Sequence, residues 1–147
     1  MSILAVLFVA AVSGSPPGNH CPLVDRLNAV IADQTGYVPP SCPQIGFSQL
    51  PAADALRSQA GAFFPDSGRI ELAPDLDLTS AYGQSFLLHE LVHAAQYANG
   101  APAKARCIAQ LESEAYLVQS DFLRAAGLPR EALMMRILAQ QLGACSN

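Results

Sequence analysis

Between Ser80 and Gly100 the chain is made of Ala, Leu, Val, Phe and Tyr with a few uncharged polar residues, and its strongly ionisable side chains there are His89, Glu90 and His93. A helix apolar nearly all round belongs in a core, and a carboxylate in a core is costly unless it is paired or bound to a cation. The two histidines are four positions apart, so both rings leave one face of a helix, about 40° apart. The segment is therefore expected to form the central helix of the fold, with its ionisable groups gathered on a cation. Two neutral imidazoles can grip one Zn²⁺, and Glu90 between them points to where a metal-bound water would sit.

At 147 residues the chain is long enough for one domain with a real core. Its net charge of −4 comes from eight basic and twelve acidic residues spread along the chain, which fits neither a nucleic-acid surface nor a basic membrane patch. Met1 to Val12 is an uncharged apolar run followed by small residues. It is too short for a stable membrane span and suits the core of a signal peptide. The expectation is a signal peptide over residues 1–15, a single domain over 16–147, and a secreted or periplasmic location. Four widely spaced cysteines suggest two disulfides in an oxidising compartment. Three pairings are possible, and order along the chain favours Cys21 with Cys42 and Cys107 with Cys145.

Leu23, Val24, Leu27, Val30 and Ile31 recur at helical spacing, which predicts a helix from Cys21 to about Thr35 ended by Gly36. Pro39, Pro40 and Pro43 impose an extended chain before a short strand within Gln44–Leu50. Pro51 to Ala60 reads as a short helix or a loop. Ala62-Phe63-Phe64 and Arg69-Ile70-Glu71-Leu72 flank the turn Pro65-Asp66-Ser67-Gly68 and predict a β-hairpin. Thr79 or Ser80 caps the central helix, which stops at Asn99-Gly100. A second long helix, Cys107 to about Ala126, has an apolar stripe of Ile108, Leu111, Ala115, Val118, Phe122 and Leu123, and a third runs from Arg130 to Leu142. The expected class is α+β, with a small, mainly antiparallel sheet followed by helices.

Catalytic zinc sites usually have three protein ligands and an open position. His20, beside Cys21, is a poor third ligand. Glu112 and Glu114 are about 200° apart on their helix, and only Glu112 lies within the apolar stripe, where a carboxylate needs a cation or donors. A buried ion pair with an arginine is the competing role for Glu112.

The string His89-Glu90-x-x-His93, then eighteen residues, then Glu112, resembles the zinc signature of the gluzincin metallopeptidases, which thermolysin-type enzymes and zinc aminopeptidases share. The resemblance covers about Ser80 to Phe122, with the Ala62–Leu72 hairpin matching the sheet edge that such zincin-like folds place above the site. It implies that His89, His93 and Glu112 bind Zn²⁺, that Glu90 is the general base, and that the substrate is a peptide or protein. Position 116, where gluzincins often carry an Asp or Asn outer-shell partner, is Tyr116 here. Tyr116 or Gln119 could supply that hydrogen bond instead. Glu114-Ala115 resembles the Glu-Ala of thermolysin-type motifs, so Glu114 stays an alternative ligand.

Peptide hydrolysis by a metal-activated water, with Glu90 carrying the proton, is the function these residues imply. Tyr82, Tyr97 and Tyr116 are candidate donors to a developing oxyanion. The competing reading is a noncatalytic secreted module whose zinc only ties two helices together, which a closed four-ligand site would favour. A di-iron carboxylate site would need a second Glu-x-x-His on another helix, and the sequence has none. The notional cleft is a shallow groove along an edge strand, binding extended peptide.

Overall fold

The computed structural model describes residues 18–50, 52–54, 57–58 and 60–145. The signal peptide expected over residues 1–15 lies outside them. Helix α1, Cys21–Thr35, carries Val24, Leu27 and Ile31 on its buried face. Strand β1, Ile45–Phe47, is followed by a short antiparallel pair, β2 (Ala52–Asp54) and β3 (Arg57–Ser58), where the sequence suggested a helix or a loop. Strands β4, Gly61–Phe64, and β5, Arg69–Leu72, form the expected hairpin. Gly68 has φ +69° in its turn, a backbone conformation that favours glycine.

The main sheet has the order β1-β5-β4. Strand β5 pairs antiparallel with β4 but parallel with β1, with Ile45 opposite Ile70 and Phe47 opposite Leu72. The expectation of a mainly antiparallel sheet is thus corrected to a mixed one. The reason is that α1 and the proline segment bring β1 in from the far side of β5, and such a long-range pairing leaves no signature in either strand.

Helix α2, Ala81–Ala98, is capped by Ser80, whose hydroxyl accepts from the Gly83 amide at 3.0 Å. One turn, α3 (Ala101–Lys104), precedes α4 (Ile108–Ala125) and α5 (Pro129–Leu142). Among the described residues, five helices and the three-stranded mixed sheet make the fold α+β. The main core joins Val24, Leu27 and Ile31 of α1, Ile70 and Leu72 of β5, Leu87, Leu88, Leu91, Val92 and Ala95 of α2, and Ala115 and Val118 of α4. Helix α2 therefore runs through the middle, as its apolar circumference requires.

A second cluster, Leu123, Ala132 and Met135, holds α5 to α4, and the Ser120 hydroxyl donates to the Ala132 carbonyl at 2.7 Å. Ile108, expected in the stripe of α4, is 61% exposed, because in the first turn of α4 that direction opens onto a cleft instead of the core. Both favoured disulfides are formed, Cys21–Cys42 and Cys107–Cys145. They close loops with sequence separations of 21 and 38 residues, worth roughly 3 to 4 kcal/mol each in the chain-entropy account. No helix of the described residues is long and apolar enough to cross a membrane.

Candidate metal centre

His89 and His93 sit in the middle of α2, and Glu112 approaches them from the first half of α4. The two Nε2 atoms are 3.2 Å apart. Glu112 Oε2 lies 3.3 Å from His89 Nε2, and its Oε1 lies 3.3 Å from His93 Nε2. Ligand atoms around a tetrahedral zinc with bonds of about 2.0–2.1 Å stand about 3.3–3.4 Å apart, so the spacing suits one small cation.

The outer hydrogen bonds decide which way the imidazoles face. Gln96 Nε2 donates to the Leu111 carbonyl at 2.9 Å and to Glu114 Oε2 at 2.8 Å. Its carbonyl oxygen is thereby left facing His93 Nδ1 at 2.9 Å, and can only accept. Gln119 is held in the same manner: its Nε2 donates to Ser85 Oγ at 3.1 Å, whose own proton goes to the Tyr82 carbonyl at 2.7 Å. Gln119 Oε1 then faces His89 Nδ1 at 3.1 Å. Both histidines must carry a proton on Nδ1, so in the neutral rings both Nε2 lone pairs point at one spot beside a carboxylate. Facing lone pairs repel one another. A divalent cation relieves that repulsion, so the donor set fits Zn²⁺.

Burial works to raise the Glu112 carboxyl, but hydrogen bonds and charge from the doubly protonated forms of His89 and His93 hold it well below the usual carboxylate range, so protons and a cation compete for the same two Nε2 atoms. Desolvation pulls the His93 imidazole down, yet Glu112 and Glu90 outweigh it and raise it. Glu112 keeps 39% of its side chain exposed, which leaves the ligand face open to a cleft.

Glu90 lies to one side of the triangle. It is 7% exposed, and burial pushes its carboxyl above the ordinary range against the pull of His89, His93 and the main-chain amide of Phe63. That amide belongs to edge strand β4, which passes directly over the carboxylate. A Cβ on Gly61 would come within 2.8 Å of Glu90 Cγ and 2.9 Å of Oε1, so this crossing needs a glycine. A carboxylate held above its ordinary range beside such a cluster is a candidate to take up a proton from a neighbouring group.

Residues 18–145, most of the chain, match the family described as "Domain of unknown function (DUF6647)". The chain belongs to that family. No curated protein and no solved structure matches it.

In this DUF6647 domain, Glu114 stands apart from the ligand triangle. Its Oε2 accepts from Gln96 and from the Tyr37 hydroxyl at 3.0 Å, so it braces the amide that faces His93. Tyr116 lays its ring against His89, centroids 4.5 Å apart, while Gln119 makes the hydrogen bond offered to either. His20 packs on Phe47 away from the site. Tyr82 and Tyr97 line the cleft with Tyr116.

Sequence reasoning missed Gln96, Ser85 and Gly61. A signal existed for Gln96: an uncharged amide three residues after His93, on a helix expected in the core, needs a buried partner. Gln96→Leu keeps the volume and removes the acceptor, and is expected to weaken zinc binding by about 10- to 100-fold. Competition with a chelating dye, with helix content followed by circular dichroism, measures it. Unchanged affinity would remove Gln96 from the centre.

Proposed function

We propose that the chain is an exported, zinc-dependent peptidase of gluzincin type, in which His89, His93 and Glu112 hold the metal and Glu90 is the general base. The carrying observation is the pair of imidazole Nε2 atoms at 3.2 Å, both turned inward by buried amides and closed by one carboxylate. Zinc bound there would polarise a substrate carbonyl and make a water acidic enough to attack at neutral pH. Glu90, buried and reluctant to stay charged, accepts the proton of the attacking water and hands it to the departing amine. The Phe63 amide fixes the carboxylate's orientation during both transfers.

The surroundings support a peptide as substrate. Strand β4 has β5 on one side and, among the described residues, no strand on the other. The Ala73 amide donates to the Ala60 carbonyl, and hydrogen-bonded pairs alternate along an antiparallel ladder. Gly61 and Phe63 therefore direct their main-chain groups away from β5; the Phe63 amide meets Glu90, and the Gly61 groups and the Phe63 carbonyl face the side where an extended chain can add as a further strand. A cleft of about 1000 Å³ lies between this edge and helices α4 and α5, with His89, Glu90, His93 and Glu112 on its surface. An open ligand face on a cleft of that size favours turnover over a zinc that only ties helices together. The two disulfides and the apolar residues 1–12 support export.

Purified protein is expected to contain one zinc per chain and to cleave unstructured polypeptide, to lose that activity to a chelator and to regain it with added zinc. Elemental analysis and a peptide-library digest provide the readouts. Protein that takes up no zinc at micromolar concentration would sink the reading.

A further inference from the structure

The far wall of the cleft is built from side chains whose exposure the fold itself does not explain. Ile108 at the start of α4 is 61% exposed, Met134 on α5 58% and Ile137 42%. All three line the cleft, as do Leu138 and Leu142. Aliphatic side chains scattered singly over a surface are ordinary, but three that converge on one concavity mark a place where apolar matter docks. The distribution of charge agrees: among the described lining residues, the charged or ionisable groups other than tyrosine are His89, Glu90, His93 and Glu112, all at the metal centre.

We propose that this α4–α5 wall is a side-chain pocket that makes the protein select peptide segments with a large aliphatic or aromatic residue next to the cleaved bond, and that Ile108, Met134 and Ile137 determine that choice. The inference rests on the peptidase reading for its position beside a scissile bond. A chain laid along β4 points alternate side chains to opposite sides. One of them then faces α5 across the centre. Met134 and the two isoleucines differ in stiffness, and the flexible thioether lets the pocket accept more than one apolar shape. Charged side chains at that substrate position would be stripped of water with no partner on the wall.

The test uses full-length, disulfide-intact Glu90→Gln protein, which leaves substrate uncut. Two unstructured hexapeptides identical except for a central Leu or Asp are titrated in and followed by calorimetry and amide chemical shifts. The Leu peptide is expected to bind at least tenfold tighter, to shift α5 amides, and to lose its advantage in the Ile137→Asp and Met134→Lys backgrounds. Both positions are exposed, so circular dichroism should show the fold kept. Equal binding of the two peptides, or a preference that survives both substitutions, overturns the proposal. So does a concentration-dependent dimer that Met134→Lys dissolves, since the wall would then be covered by a second copy. Zinc content, and cleavage of the same two peptides by the wild type, are measured in parallel: zinc-free protein that still prefers the Leu peptide defeats the peptidase reading alone, and zinc-loaded wild type that cuts both peptides equally well defeats the pocket alone.

Discussion

Glu90→Gln is expected to retain its zinc and its fold and to lose peptide hydrolysis by a hundredfold or more, a barrier increase on the order of 3 kcal/mol. The substitution changes little besides basicity. An amide oxygen can still accept from the Phe63 amide that now holds the carboxylate, and the side chain still fits beneath Gly61. Burial already disfavours the charge at this position, so removing it should leave thermal stability unchanged or slightly higher. Turnover on a mixed peptide library, zinc content and melting temperature are to be compared between wild type and variant. Wild type and variant cutting at the same rate would remove Glu90 from the proposed mechanism.

A larger loss of metal is expected from Glu112→Gln than from Glu114→Gln. The first replaces a carboxylate whose two oxygens stand 3.3 Å from the two Nε2 atoms, and with it goes the negative charge that offsets a divalent cation. Zinc affinity should fall by well over a hundredfold. The second keeps an oxygen able to accept from Gln96 and Tyr37, so its loss should be about tenfold or less. Both variants are read by the same dye competition, side by side. Equal affinities, or a greater loss at Glu114, would mean that the carboxylate facing the histidines is not the one that binds the metal.

Much of this centre could be read before any coordinates because it depends on local periodicity. The four-position step from His89 to His93 fixes their common face once the helix is granted, and the stripe through Leu111, Ala115 and Val118 fixes the side of α4 that carries Glu112. Chain order favoured the two disulfide pairs that form, without deciding among the three possible pairings. What escaped was non-local. That β1 would lie parallel to β5 depends on how the segment between α1 and β1 travels, which no residue in either strand encodes. Ile108 fits the α4 stripe by spacing, yet the stripe outruns the core at that end. Gly61 carries no distinguishing neighbours, and its necessity appears only when Glu90 arrives beneath it from α2. Gln119 could be offered from its place on the Glu112 face, as an alternative to Tyr116, but Gln96 escaped, because an amide's importance lies in which atom it turns to which neighbour, and sequence records no orientation.

The contact between α2 and α4 combines two kinds of surface. Ala115 and Val118 give it area, whereas Glu112, Glu114 and Gln119 reach groups on α2 through bonds of 2.8 to 3.3 Å. The α4–α5 hairpin is otherwise self-sufficient, with its own apolar cluster and its own disulfide. Tolerance of substitution should therefore be uneven across the molecule. Leu123 or Met135 can exchange with another aliphatic residue at a cost of about 1.5 kcal/mol or less, because dispersion accepts small shifts. At the polar seam a drift of half an ångström breaks a hydrogen bond and leaves a buried group stranded. Variation that the hairpin absorbs quietly inside itself is barred at the line where it meets α2.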